Sequence, residues 1–164
     1  MLPKHVRVLV CRFLRLQALY QLTINKDWIH HPEGKTFINR NDQFQFFPKD
    51  KTQEIEFLAK NLYLLSAGTM LATAKHDKLI PEHALATSIE LNKENFSVIE
   101  LELVDALRFL RKETLSIQPG KKGFSLMSFQ SIPLGWANVL DKRINNLYPS
   151  EWRVRMSDRE IHGL

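Results

Sequence analysis

The sequence has one cysteine, Cys11, which excludes an internal disulfide and any zinc site built from several thiolates. Cys11 lies in an apolar run and reads as a buried thiol acting as a small hydrophobe. Glycine is scarce too. The six glycines stand at positions 34, 68, 120, 123, 135 and 163, and no two have G-x-G spacing. A glycine-rich phosphate loop or dinucleotide site is therefore unsupported, and no cofactor is expected. No G-x-S-x-G elbow marks a nucleophile, although serine, histidine and aspartate are all present. Long hydrophobic runs are missing too. The stretch from Val6 to Leu22 is interrupted by Arg7, Arg12 and Arg15, and no small-residue cleavage site follows it. Neither a signal peptide nor a membrane span is expected, and a cytoplasmic location follows. His30 and His31 are adjacent and cannot face one ligand. His76, Asp77 and His83 fit no ligand spacing and have Pro81 between them, so no metal site is expected. Glu100 and Glu102 share a face of a possible strand, where a solvated pair is the ordinary reading.

What is present is a globular composition. In 164 residues the hydrophobic fraction is 44% and the charged fraction 25%, enough for one core or two small units. The formal charge of +5 favours a polyanionic partner. That excess is uneven. Residues 1–31 carry five basic side chains against one acid, and residues 119–164 carry seven against four. Between them the chain is slightly acidic.

From about Lys4 to Leu22 the pattern predicts a helix. Lys4, Arg7, Arg12 and Arg15 fall within an arc of about 140°, and Val6, Leu9, Val10, Phe13, Leu14 and Leu16 form the other face. Such a helix can dock on its own domain, serve a partner or membrane surface, or be the stub of an upstream domain. Thr36 to Phe47 reads as a hairpin turning at Asn39-Arg40-Asn41-Asp42 and ended by Pro48. Asp50, three residues before Gln53, suggests a capped helix burying Ile55, Leu58, Leu62 and Leu65. Thr69 to Lys75 reads as a strand. Pro81 suits the first turn of a helix with Ala84, Leu85, Ser88 and Leu91 inward, and a third helix is expected over 104–112 with Leu107 and Leu110 inward. Gln130-Ser131 turns one strand into Ile132 to Leu140. Trp152, Val154 and Met156 alternate with Arg153, Arg155 and Ser157, predicting a final strand. Strands and helices mix without a βαβ rhythm, so the expected class is α+β with a curved mixed sheet or small barrel.

The segment from Asp141 to Arg155 is the richest in binding chemistry. It holds Lys142, Arg143, Arg153 and Arg155, the amides Asn145 and Asn146, and Tyr148 beside Trp152. Cations neutralise phosphates, amides read base edges and aromatic faces stack on unpaired bases. The bland alternative is a turn at Asn145-Asn146, a core Trp152 and solvated arginines.

At this point the chain resembles the C-terminal region of the RsmF-like branch of the Sun family of RNA cytosine-5 methyltransferases. The resemblance is carried by Ile132-Pro133-Leu134-Gly135-Trp136-Ala137, by Arg143-Ile144-Asn145-Asn146-Leu147-Tyr148-Pro149, and by Glu151-Trp152-Arg153-Val154-Arg155. Phe47-Pro48, Ala67-Gly68, Leu79 to Ala86 and Ala106 to Arg111 match upstream in the same order, so it spans about 37–156. The family usually has lysine where Asn138 stands and glycine-asparagine at Asp141-Lys142, so a charge moves four residues along. The resemblance implies a PUA-like RNA-binding fold. Residues 1–30 would be a basic helix of unassigned role, 31–115 a preceding part, and 116–164 the PUA core. It implies ribosomal RNA as partner. From their chemistry, Lys142, Arg143, Arg153 and Arg155 are expected to contact phosphates and Asn145, Asn146 and Tyr148 to read or stack on bases, while Trp136 and Trp152 pack the core. The family's catalytic cysteines follow proline in an upstream domain, whereas Cys11 follows Val10. The expected role is that of a non-catalytic accessory to a methyltransferase domain in cis or in trans. The alternative is a protein-interaction module that uses the basic helix near residues 4–22 to dock on a separate methyltransferase subunit.

Overall fold

Asn41 and Asp42 both adopt positive φ, 53° and 64°, and close a two-residue turn whose twist matches that of the flanking strands. That turn joins β1 (Lys35–Arg40) to β2 (Gln43–Pro48), as the sequence predicts. The computed structural model describes residues 25–76, 78–115 and 121–155. The basic segment at 4–22 and Asp77 lie outside the described residues. The described chain is α+β, with two four-stranded sheets in two compact units divided between Asn92 and Lys93.

In the first unit the strand order is β1-β2-β3-β4, with β3 at Thr69–Lys75 and β4 at Lys78–Pro81. Phe44, Gln45, Phe46 and Phe47 are all buried, because a register shift between Phe44 and Gln45 breaks the simple inside-outside alternation. The buried Gln45 amide oxygen accepts the Ala67 N–H at 3.3 Å. Residues 25–30, assigned to an N-terminal segment on sequence, are built into this unit. Ile29 is buried and bridges Leu91, and His30 N–H donates to the Glu90 carbonyl at 2.8 Å.

Two helices differ from expectation. Helix α1 (Thr52–Asn61) forms, but Asp50 does not cap it and no residue of it is buried. Leu58, Leu62 and Leu65 are exposed, Leu65 at 83%, and the last two lie beyond the helix end. Pro81 starts no helix. It ends β4, an edge strand, where the missing N–H removes no ladder bond from a neighbour on the far side. The helix that follows, α2 (His83–Ala86), is a single turn, with Leu85 and Ala86 buried.

The second unit has the order β5-β6-β7-β8. β5 (Ser97–Glu100) runs parallel to β6 (Gly123–Phe129), so a crossover is needed, and α3 (Leu103–Leu110) lies in it. The sheet thus begins well before residue 116. Residues 97–110, placed on sequence in the preceding part, belong to this unit. β7 (Ile132–Val139) follows a second two-residue turn at Gln130 and Ser131, with φ 50° and 63°. β8 is Ile144–Asn146. Inward on α3 are Ala106 and Phe109, with Leu110 packed at the margin, whereas Leu107 is only half-buried. They meet Leu101, Leu115, Met127 and Ala137 on one face of the sheet. Trp136 pairs with Leu126 in register, is 1% exposed, and its ring lies 4.5 Å from that of Phe96. Trp136 is a core residue, as expected.

Candidate nucleic-acid interface

β8 decides what the two asparagines can do. Successive side chains on a strand point to opposite faces, so Asn145 and Asn146 part company. Asn146 pairs with Ala137, on the face covered by α3. Its Nδ2 donates to the Phe109 carbonyl at 2.7 Å, and its Oδ1 accepts the Tyr148 N–H at 2.9 Å. Both ends of the amide bond inside the unit, so Asn146 ties β8 to α3. Asn145 pairs with Asn138 on the other face and is half-buried. Tyr148 follows close behind. Its ring packs against that of Phe109 in a T-shaped contact at 5.7 Å and lies, half-buried, at the margin of the core.

The four basic residues named from the sequence are exposed, but they form two groups rather than one row. Lys142 and Arg143 lie in the tight turn between β7 and β8, closed by Leu140 N–H donating to the Arg143 carbonyl at 2.9 Å. β6 begins at the same end of the sheet, since Gly123 pairs with Val139. Lys121 and Lys122 therefore join Lys142 and Arg143 there, and Lys122 forms an ion pair with Asp141. On sequence, Lys121-Lys122, flanked by Gly120 and Gly123, reads as a hairpin or loop tip. The signal that would add them is the register of two strands joined by the Gln130-Ser131 turn, which brings their outer ends together.

Arg153 and Arg155 flank Val154, whose N–H donates to the Leu110 carbonyl at the end of α3, 3.0 Å away. Lys112, just past that helix end, reaches the Ser150 hydroxyl with its ammonium at 2.9 Å. A second cationic group thus gathers Lys112, Arg153 and Arg155 on this unit, with Glu151 among them. The expected final strand is absent here: Ser150–Trp152 is a 3-10 turn, and Arg153 to Arg155 have no ladder partner among the described residues. Met156 lies outside the described residues. Trp152 consequently leaves the core and is 62% exposed. The signal for this is Pro149, which with Ser150 and Glu151 opens a turn where the alternation suggests a strand.

Among the described residues no three histidine, cysteine, aspartate or glutamate side chains gather as a metal site, and no helix is long and apolar enough to cross a membrane. Two chemically useful surfaces remain on the second unit: a cationic sheet end, and a cationic turn carrying an exposed indole.

No curated protein matches the chain. Residues 96–154, nearly all of the described second unit, are similar to the family described as the methyltransferase RsmF PUA domain.

Proposed function

We propose that the chain is an RNA-binding accessory module of an RNA cytosine-5 methyltransferase system, acting on ribosomal RNA in the cytoplasm and contributing no catalysis of its own. The observation that carries this reading is a coincidence of place. The segment that matches the PUA domain presents exposed cations in two groups, Lys121, Lys122, Lys142 and Arg143 at the β6–β7–β8 end and Lys112 and Arg153 around Ser150–Trp152, with Arg155 just beyond it. Lys142, Arg143, Arg153 and Arg155 serve as the phosphate contacts, with Lys121, Lys122 and Lys112 beside them. Asn145 is the amide that remains for a base edge. Phosphate contacts release counterions, so affinity for structured RNA should fall with salt by about 0.7–0.9 log units per log unit of salt for each phosphate neutralised. Titration of the full chain at several salt concentrations tests the reading, and a salt-independent or undetectable interaction would sink it.

The non-catalytic half has its own test. The purified chain should neither bind S-adenosylmethionine at micromolar affinity in calorimetry nor transfer a labelled methyl group to RNA. The catalytic domain it serves is then supplied in cis or in trans.

A second reading, that the first unit docks on a separate methyltransferase subunit, is favoured by the apolar surface of α1 and the residues after it. Phe57, Leu58, Leu62, Tyr63 and Leu65 are all exposed. Replacing Leu62 and Leu65 with glutamate should leave the melting temperature unchanged and abolish binding to a family catalytic domain supplied in trans. Retained binding would remove the reading. A drop in melting temperature on deleting residues 1–24 would instead show that the chain's own segment covers this face.

A further inference from the structure

We propose that Trp152 is a stacking platform for an unpaired base, so that the turn at Ser150–Trp152 binds single-stranded RNA; this rests on the RNA-binding reading above and names the form of RNA taken at this site. An indole in a globular domain ordinarily contributes its large apolar area to the core, as Trp136 does at 1% exposure. Trp152 is 62% exposed instead, in a 3-10 turn that begins after Pro149 with φ −59° and ψ 131°. The turn is anchored from both sides. Lys112 holds the Ser150 hydroxyl at 2.9 Å, and Val154 N–H holds the Leu110 carbonyl at 3.0 Å. A pinned turn presents the indole with little backbone entropy left to lose on binding.

The neighbours have the chemistry that a base-stacking site needs. Arg153 and Arg155, which follow Trp152 in the chain, and Lys112, bonded to Ser150 at the start of the turn, are exposed cations that can take phosphates next to a stacked nucleotide. Glu151, the acid within the turn, opposes them singly. A stack of this kind tolerates any base, because every base has a π face, but it requires that the base be out of a helix. Duplex RNA offers phosphates without free base faces. A duplex therefore engages the cations and not the indole.

The experiment compares a single-stranded RNA about ten nucleotides long with a duplex of the same length, each titrated into the full chain at several salt concentrations. Indole fluorescence and filter retention are the readouts. Trp152→Ala should weaken single-strand binding by about 5- to 100-fold. It should leave the salt slope unchanged, because no cation is removed, and should leave duplex binding unchanged. Trp152→Phe should recover most of the loss. Since the ring is exposed, circular dichroism and the melting temperature should match the wild type. If the wild type binds RNA and Trp152→Ala binds both forms as well as it does, the stacking site is wrong while the RNA reading stands. Equal weakening toward duplex and single strand also overturns it, because that marks a general loss of the surface. If the wild type binds neither RNA, the underlying reading has failed and the stacking site falls with it.

Discussion

Gly68→Ala should cost the first unit about 2–5 kcal/mol, enough to lower its melting temperature by more than about 10 °C. Gly68 sits at φ +83°, a left-handed conformation that side chains rarely adopt. A methyl group there would come within 2.1 Å of the Phe46 carbonyl oxygen and 2.9 Å of the Phe47 Cβ. The nearest obstacle is backbone, so no side-chain rotation can relieve it. Thr69, the next residue, pairs with Phe46 as β3 begins, which means the displacement would be delivered into the β2–β3 ladder. Those strands carry Phe44, Phe46, Phe47 and Leu71, the apolar centre of the unit. Gly34 is the control. It has nothing within 4 Å of the equivalent methyl position, so Gly34→Ala should melt close to the wild type. Thermal unfolding followed by circular dichroism decides it: equal melting of Gly68→Ala and the wild type would show that the close approach is not as described.

The turn residues make the two hairpins legible. Asn-Asp and Gln-Ser stand between runs of strand-forming residues, and both pairs take the positive φ that two-residue hairpins demand. The α1 pattern is legible as a helix but not as a buried one. Spacing of Ile55, Leu58 and Leu62 reports a shared helical side; it carries no information on whether another element covers that side. Pro81 illustrates a second limit. A proline fits the first turn of a helix and the last residue of an edge strand equally well, and only the pairing of Leu79 and Ile80 with β3 separates the two. Ser97–Glu100 is hidden for a related reason, since its partner β6 lies beyond a helix and a long connection.

The candidate site divides along the same line. Which residues carry charge is readable, and Lys142, Arg143, Arg153 and Arg155 are all exposed. What the neutral residues do is not. Asn146 and Tyr148 have the composition of a recognition motif, yet their partners are Phe109 and the turn after β8. Trp152 has the composition of a core residue and stands at the surface. The period-two pattern at 152–155 is real, but alternation makes a strand only where a neighbouring edge accepts its hydrogen bonds. Here Val154 bonds the end of a helix instead.

Reversing Arg143 and Arg153 together to glutamate should lower affinity for structured RNA roughly a hundredfold at about 0.1 M salt and reduce the salt slope by nearly two. The size follows from counterion release. Removing one cation from a phosphate takes about 0.7–0.9 off the slope, and at that ionic strength each such pairing is worth close to a tenfold change, before the repulsion from the new carboxylate is counted. The pair samples both cationic groups, Arg143 at the sheet end and Arg153 beside the exposed turn. Neither side chain is buried, so the fold should survive, and circular dichroism should confirm it. Lys49→Glu with Lys51→Glu makes the same change in net charge on the first unit. Lys49 is exposed, and Lys51 already lies within 3.6 Å of Asp50 and 3.5 Å of Glu54, which damps its outward field. That variant should lose severalfold at most and keep a slope near the wild type's. Two localised groups predict unequal damage; a diffuse attraction between a basic protein and a polyanion predicts equal damage. Equal losses from the two double variants would therefore remove the site while leaving the charge, and would show that the second unit holds the RNA no more specifically than the first.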